Sequence, residues 1–143
     1  MDTQPLLIVV LGPTASGKTD LAIELAERTK LSIHNVDSRQ VYKGMDIGTA
    51  KPSFEQLKKT EHHLIDIRSP DNPINLHEFH IEASLSLDKH LKLKGKALLV
   101  GGSGLYIKAI TRGFKPPEVP PQKHLINQFH SLGQQTCHEL LKK

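Results

Sequence analysis

Residues 6–11, Leu-Leu-Ile-Val-Val-Leu, form a continuous apolar run closed by Gly12 and Pro13. Such a run predicts a strand buried on both faces, as in parallel sheets. Leu21, Ala22, Leu25 and Ala26 then recur at helical spacing and predict a helix over Lys18–Thr29. Residues 31–36 read as a second strand, and the polar, glycine-containing stretch 37–52 as a loop long enough to be functional. A short helix is expected from Ser53, with Glu55 and Gln56 in its first turn, and a strand over 63–67. Asn75 with Glu78 three residues on has the capping-box pattern. Leu76, Phe79, Ala83 and Leu87 share a helical face that runs to Leu91, and Gly95 breaks the helix. Residues 97–100 form a further buried strand, closed by Gly101-Gly102-Ser103-Gly104, with a helix over 105–111. This alternation predicts an α/β doubly wound parallel sheet with ligands at the strand C-termini.

The composition changes at Lys115, where Pro116, Pro117, Pro120 and Pro121 make a stiff linker. Beyond it, Leu125, Ile126, Phe129 and Leu132 suggest one helix, and Cys137, Leu140 and Leu141 a second. Two segments are therefore expected: an α/β core over 1–115 and a helical appendage over 116–143. No strand follows to complete the second layer, so the core reads as incomplete.

The chemistry is concentrated in Gly12-Pro13-Thr14-Ala15-Ser16-Gly17-Lys18-Thr19. Gly-x4-Gly-Lys-Thr is specific when a strand precedes it and a helix follows, and both are predicted here. Gly12 and Gly17 permit turns that side chains block. Backbone N–H groups then face inward as an anion nest, reinforced by the helix N-terminus. Lys18 supplies a cation for terminal phosphate oxygens, and Thr19 a hydroxyl for Mg2+ or phosphate. The fold is thus P-loop NTPase-like, and the chain is expected to bind the diphosphate or triphosphate end of a small molecule. Nucleotide hydrolases usually add an apolar strand ending in Asp. Here the strand over 97–100 ends in glycines, and the strand-end acids are Asp37 and Asp66. That points to group transfer.

Charge and composition add little. The 143 residues carry a formal net charge of +4, which suits an anionic partner. No apolar run approaches the ~18 residues of a membrane span, so no membrane association is expected. The single cysteine, Cys137, excludes an internal disulfide and favours a cytoplasmic setting. Among the nine histidines, His77-Glu78-Phe79-His80 lacks the spacing of a zinc helix. His62-His63 is expected with one ring half-buried and one exposed. Lys58, Lys59, Lys92, Lys94 and Lys96 read as solvated surface charge.

With Asp37-Ser38-Arg39-Gln40-Val41-Tyr42 the chain resembles the tRNA dimethylallyltransferase family. The other matching blocks are Gly12–Thr19, Asp46-Ile47-Gly48-Thr49-Ala50-Lys51-Pro52, His62-His63-Leu64-Ile65-Asp66 and Gly101-Gly102-Ser103-Gly104-Leu105-Tyr106. They stand in family order across residues 6–113. Ser38 and Ala50 favour the tRNA branch over the adenylate isopentenyltransferase branch. Ser103 departs from the family's usual Thr but keeps a hydroxyl.

The resemblance implies transfer of a dimethylallyl group from dimethylallyl diphosphate to the exocyclic amine of the adenosine 3′ to the anticodon. It implies that the loop holds the leaving diphosphate, that Mg2+ is the cofactor, with Thr19 as its ligand, and that Asp37 takes the amine proton. Ser38, Arg39, Gln40 and Ser103 are implied, with Asp37, to contact the tRNA anticodon loop. A monomer is expected. The resemblance also implies a longer protein, with a later arginine near the diphosphate, and it marks 116–143 as the start of a helical tRNA-binding insertion. A different role for Asp37 is a turn cap or indirect support of Mg2+. Two rival readings stand beside transfer: a small-molecule P-loop kinase, and a truncated chain that only binds diphosphate. A kinase needs an arginine-rich lid, and this chain has only Arg28, Arg39, Arg68 and Arg112.

Overall fold

A computed structural model describes residues 4–114 and 119–142. Lys115, Pro116 and Pro117, on which the predicted segment boundary falls, and Lys143 lie outside the described residues. The elements are β1 (Leu6–Leu11), α1 (Lys18–Thr29), β2 (Ile33–Val36), α2 (Phe54–Lys59), β3 (His62–His63), α3 (Leu76–Lys94), β4 (Lys96–Gly101), α4 (Gly104–Arg112) and α5 (Lys123–Leu140). All four strands are parallel, in the order β1-β4-β2-β3.

The period of two along β4 explains the layering. Leu98 and Val100 face α1, packing with Ala22, Ile23, Ala26 and Ile33. Ala97 and Leu99 face the other way, against Phe79, Ala83 and Leu87 of α3 and Ile107 of α4. Helices thus cover both faces, as a doubly wound sheet requires. Inserting β4 between β1 and β2 brings the ends of those strands to either side of Gly101.

Helix boundaries follow their capping chemistry. Asn75 and Glu78 form the expected capping box, and Gly95 ends α3 at a φ of 65°. Ser53 and Gln56 form a second box at the start of α2.

Two strands differ from expectation. β1 is half-buried, because among the described residues only β4 pairs with it and it forms the sheet edge. The predicted strand 63–67 stops at His63. Leu64 and Asp66 take positive φ, 62° and 55°, which no strand tolerates. Residues 66–68 pair instead with the loop after β2: Arg68 N–H donates to the Val41 carbonyl at 3.0 Å, and Lys43 N–H to the Arg68 carbonyl at 2.8 Å.

α5 buries none of its residues. It kinks at Gly133, φ 78° and ψ 163°, which separates the two expected helical stretches. Among the described residues no helix is long and apolar enough to cross a membrane.

Candidate active site

One wall of the site is the turn between β1 and α1. Gly17 stands as N-cap of α1 at a φ of 81°, with no side-chain capping bond. The first N–H groups of α1 are thus left for a ligand, at the positive end of the helix dipole. Ala15 is also left-handed, at 64°. Left-handed residues inside such a turn curl N–H groups to one side, the geometry of an anion nest. A Cβ at Gly12 would meet Ser16 Oγ at 2.9 Å. Lys18 arches back so that Nζ donates to the Pro13 carbonyl.

The facing wall is the loop after β2. Asp37 Oδ1 accepts from the backbone of Arg39 at 2.8 Å and of Gln40 at 3.4 Å, so this carboxylate does cap a turn. Both turn bonds go to Oδ1, and Oδ2 takes no part in the cap. Gln40 Nε2 donates to the carbonyls of Thr49 and Ala50, at 3.3 and 3.0 Å. Behind them Lys51, its side chain only 4% exposed, donates to the Tyr42 carbonyl, Asp46 Oδ1 and Asp66 Oδ1 at 2.7–2.8 Å. Burial opposes its charge, but the two carboxylates outweigh burial and raise its pKa above the ordinary value.

Glycines join the two walls. A Cβ on Gly101 would lie 2.0 Å from the Val36 carbonyl oxygen, and one on Gly102 would lie 3.2 Å from the Gly12 carbonyl oxygen. The β2 and β4 ends can close only on bare backbone. Ser103 Oγ accepts from the Ser38 N–H at 3.1 Å, tying the start of α4 to the Asp37 turn.

The walls enclose a cavity of about 340 Å³, lined by Thr14–Thr19, Asp20, Asn35, Asp37, Gln40, Ala50, Val100, Gly101 and Gly102. Most predicted site residues are therefore brought together. Gly12 and Pro13 line a neighbouring groove beside α4 instead. Ser38, Arg39 and Ser103 stand outside the cavity lining. Residues 40–143 match the family model described as IPP transferase. The chain belongs to the IPP transferase family.

Its relatives agree. A tRNA dimethylallyltransferase of Prochlorococcus marinus is 58% identical over 140 residues, covering 98% of this chain and 47% of the relative. One from a Synechococcus species is 59% identical over 141 residues, with 99% and 47% covered. The crystal structure of the full-length tRNA isopentenylpyrophosphate transferase from Bacillus halodurans matches with a TM-score of 0.75 at 34% identity, covering 96% of this chain and 47% of that one. The chain thus spans about half the length of the curated relatives it matches.

Two positions of this site escaped the sequence reading. Asn35 is buried and lines the cavity, while its Nδ2 donates to the His63 carbonyl at 3.1 Å. Lys51 organises the loop without touching the cavity. A polar residue at a strand end and a lysine flanked by Asp46 are weak signals, because only tertiary contact gives them partners. The expectation for His62-His63 needs correction: both rings are half-buried, and each keeps a buried Nε2 without a hydrogen bond.

Proposed function

We propose that the protein transfers a dimethylallyl group from dimethylallyl diphosphate to the exocyclic amine of the adenosine 3′ to the anticodon of tRNA. The observation that carries this reading is the shared cavity, in which the backbone nest of the 14–19 turn and the Asp37 carboxylate line one space. Family membership and the names of the relatives supply the substrates.

In this reading Thr14–Thr19 hold the diphosphate. Backbone N–H groups and Lys18 stabilise the negative charge that grows as the allylic C–O bond breaks. The amine nitrogen forms the new bond to the allylic carbon, and its proton passes to Asp37 Oδ2. The hydroxyl of Thr19 and the carboxylate of Asp37 are hard oxygen donors on one cavity, a set that suits Mg2+ shared with substrate phosphates. Bound Mg2+ would neutralise the leaving diphosphate. In this reading Gln40 lines the cavity, and Ser38, Arg39 and Ser103 stand just outside its lining. Arg39 is exposed and reaches RNA directly. Gln40 and Ser103 act by holding the turn. α5, with its apolar positions uncovered, is read as the first part of the tRNA-gripping insertion. The site is read as cytoplasmic and monomeric.

The test is isotope-labelled dimethylallyl diphosphate with unmodified tRNA, run on this chain and on a form extended to the length of its relatives. Label in the RNA with the extended form supports the reading. Phosphate moved from ATP to a small molecule, with no label in the RNA, overturns it. Transfer by the extended form alone assigns diphosphate binding to this segment and closure of the site to the remainder.

A further inference from the structure

Away from the cavity, three imidazoles converge on the face of the sheet covered by α3. His34 comes from β2, His63 from β3 and His90 from α3. One ring nitrogen of each lies within 4.8 Å of the others. Ring centroids are 4.5–4.8 Å apart. His34 lies three residues before Asp37, roughly 10 Å along the strand, so this cluster is separate from the phosphate site.

Hydrogen bonds define which nitrogens are free. His34 Nδ1 lies 3.3 Å from the Leu98 carbonyl, so it carries the proton and leaves a lone pair on Nε2. His90 Nδ1 donates to the Ser86 carbonyl at 2.9 Å and also lies 3.2 Å from His34 Nε2. His90 Nε2 then holds the free lone pair of that ring. His63 Nε2 is buried with no hydrogen bond. Its neighbour is Glu61 Oε1 at 3.5 Å, while Glu61 Oε2 is held by the Ser32 hydroxyl at 2.7 Å. Backbone carbonyls that hold the second ring nitrogen, and a hydroxyl that holds the second carboxylate oxygen, are the outer supports metal sites use.

We propose that His34, His63 and His90 bind a divalent transition metal of the zinc class, with Glu61 beside His63, clamping β2, β3 and α3 together. Three imidazoles match the donor set of a tetrahedral zinc site that keeps its fourth position open. At Zn–N distances of about 2.0–2.1 Å, neighbouring ligand nitrogens lie roughly 3.4 Å apart. The nitrogens lie within 4.8 Å of one another, so the widest separation has to close by up to about 1.4 Å, which side-chain rotation supplies. Lys89 and Lys94 are the cations whose fields reach His63 and Glu61. Lys94 is drawn aside to the Lys30 carbonyl at 2.9 Å. The His63 side chain is 23% exposed and Glu61 66%, which leaves a path for entry.

The test is titration of this chain, made without a polyhistidine tag, with Co2+ as a spectroscopic stand-in and with Zn2+ as competitor. One equivalent should give the intense visible bands of tetrahedral cobalt, displaced by Zn2+, and a melting temperature that rises with metal concentration. His63→Ala and His90→Ala, at half-buried positions, should keep the fold by circular dichroism and lose the bands. Ser32→Ala should weaken binding by about 10- to 100-fold. His124→Ala and His130→Ala in α5 should change nothing. Absence of the bands in the unaltered chain overturns the proposal, as does their persistence in His63→Ala or His90→Ala.

Discussion

The two walls of the cavity are built by opposite means. The phosphate turn, 12–19, is made almost wholly of backbone geometry: a left-handed Ala15, a left-handed Gly17 and a helix start without a side-chain cap. The loop 37–52 is made of side chains bonded to backbone: Asp37 to its own turn, Gln40 to residues 49 and 50, Thr49 to Met45, and Lys51 to Tyr42, Asp46 and Asp66. The first wall offers unspent donors to an anion. The second spends its polar groups on itself, so that one carboxylate oxygen is presented in a fixed place. A local rule produces the first, and a network across the fold produces the second.

The largest expected effect separates the two jobs of Asp37. Asp37→Ala removes both the proposed base and the turn cap, and should cut transfer by about 10²- to 10⁴-fold. Asp37→Asn keeps an oxygen for the Arg39 N–H but no longer takes a proton, so it should be nearly as impaired. Single-turnover transfer, measured in the form extended to the relatives' length, reads both. Near-normal turnover of the asparagine variant would make Asp37 a cap and nothing more. On the other wall, Lys18→Ala should lower transfer by about 10²- to 10³-fold and also weaken diphosphate binding, which calorimetry on this chain measures. Loss of transfer with unchanged diphosphate binding would remove Lys18 from the holding role.

The hinge between the walls is a matter of space. Gly101→Ala places a methyl 2.0 Å from a backbone oxygen that cannot rotate away. It should destabilise the chain by about 3 kcal/mol or more, seen as a lower urea midpoint. A shift under about 0.5 kcal/mol would mean that the strand ends separate without cost.

The contrast also decides what the sequence could reveal. Lys18–Thr29, the Asn75–Glu78 box and the apolar runs of β1 and β4 follow from local period and capping, and their boundaries were legible nearly to the residue. The phosphate turn was legible because its backbone demands particular residues in a row. The stretch 63–67 was misread as a strand because Ile65 and Ile67 look like one, while the left-handed Leu64 is imposed by the pairing of 66–68 with 41–43. Loop 37–52 shows no period because its order comes from Lys51, whose partners lie up to fifteen residues away. For the same reason the His34–His63–His90 convergence is invisible along the chain: its members are separated by as many as 56 residues.

Lys51→Met probes that network directly. It keeps the buried stem, removes the ammonium, and leaves Asp46, Asp66 and the Tyr42 carbonyl without their shared donor. The cost should be about 1–3 kcal/mol, read in thermal or urea melts, with lower affinity for diphosphate as the loop loosens. The pH dependence has a defined sign. The folded pKa of Lys51 is raised, so its contribution is complete below the ordinary lysine range and is lost as pH climbs through the folded value. The unaltered chain should therefore lose stability on that alkaline limb, and the methionine variant should lose less. Equal losses would place the alkaline transition elsewhere.

The smallest expected effect lies where the walls meet. Ser103→Ala deletes one acceptor for the Ser38 N–H, a half-buried bond worth about 0.5–1.5 kcal/mol. Ser103→Thr keeps the oxygen and restores the residue usual at this position in the family that the chain resembles. If Ser103 works by fixing the Asp37 turn, alanine should lower the transfer rate at saturating tRNA and leave the salt dependence of tRNA binding unchanged, while threonine rescues it. If its hydroxyl instead touches RNA phosphate, alanine should weaken tRNA binding with little change in the saturated rate. The split between saturated rate and affinity tells which wall Ser103 serves, because a tie within the protein and a contact with the substrate fail in different parameters.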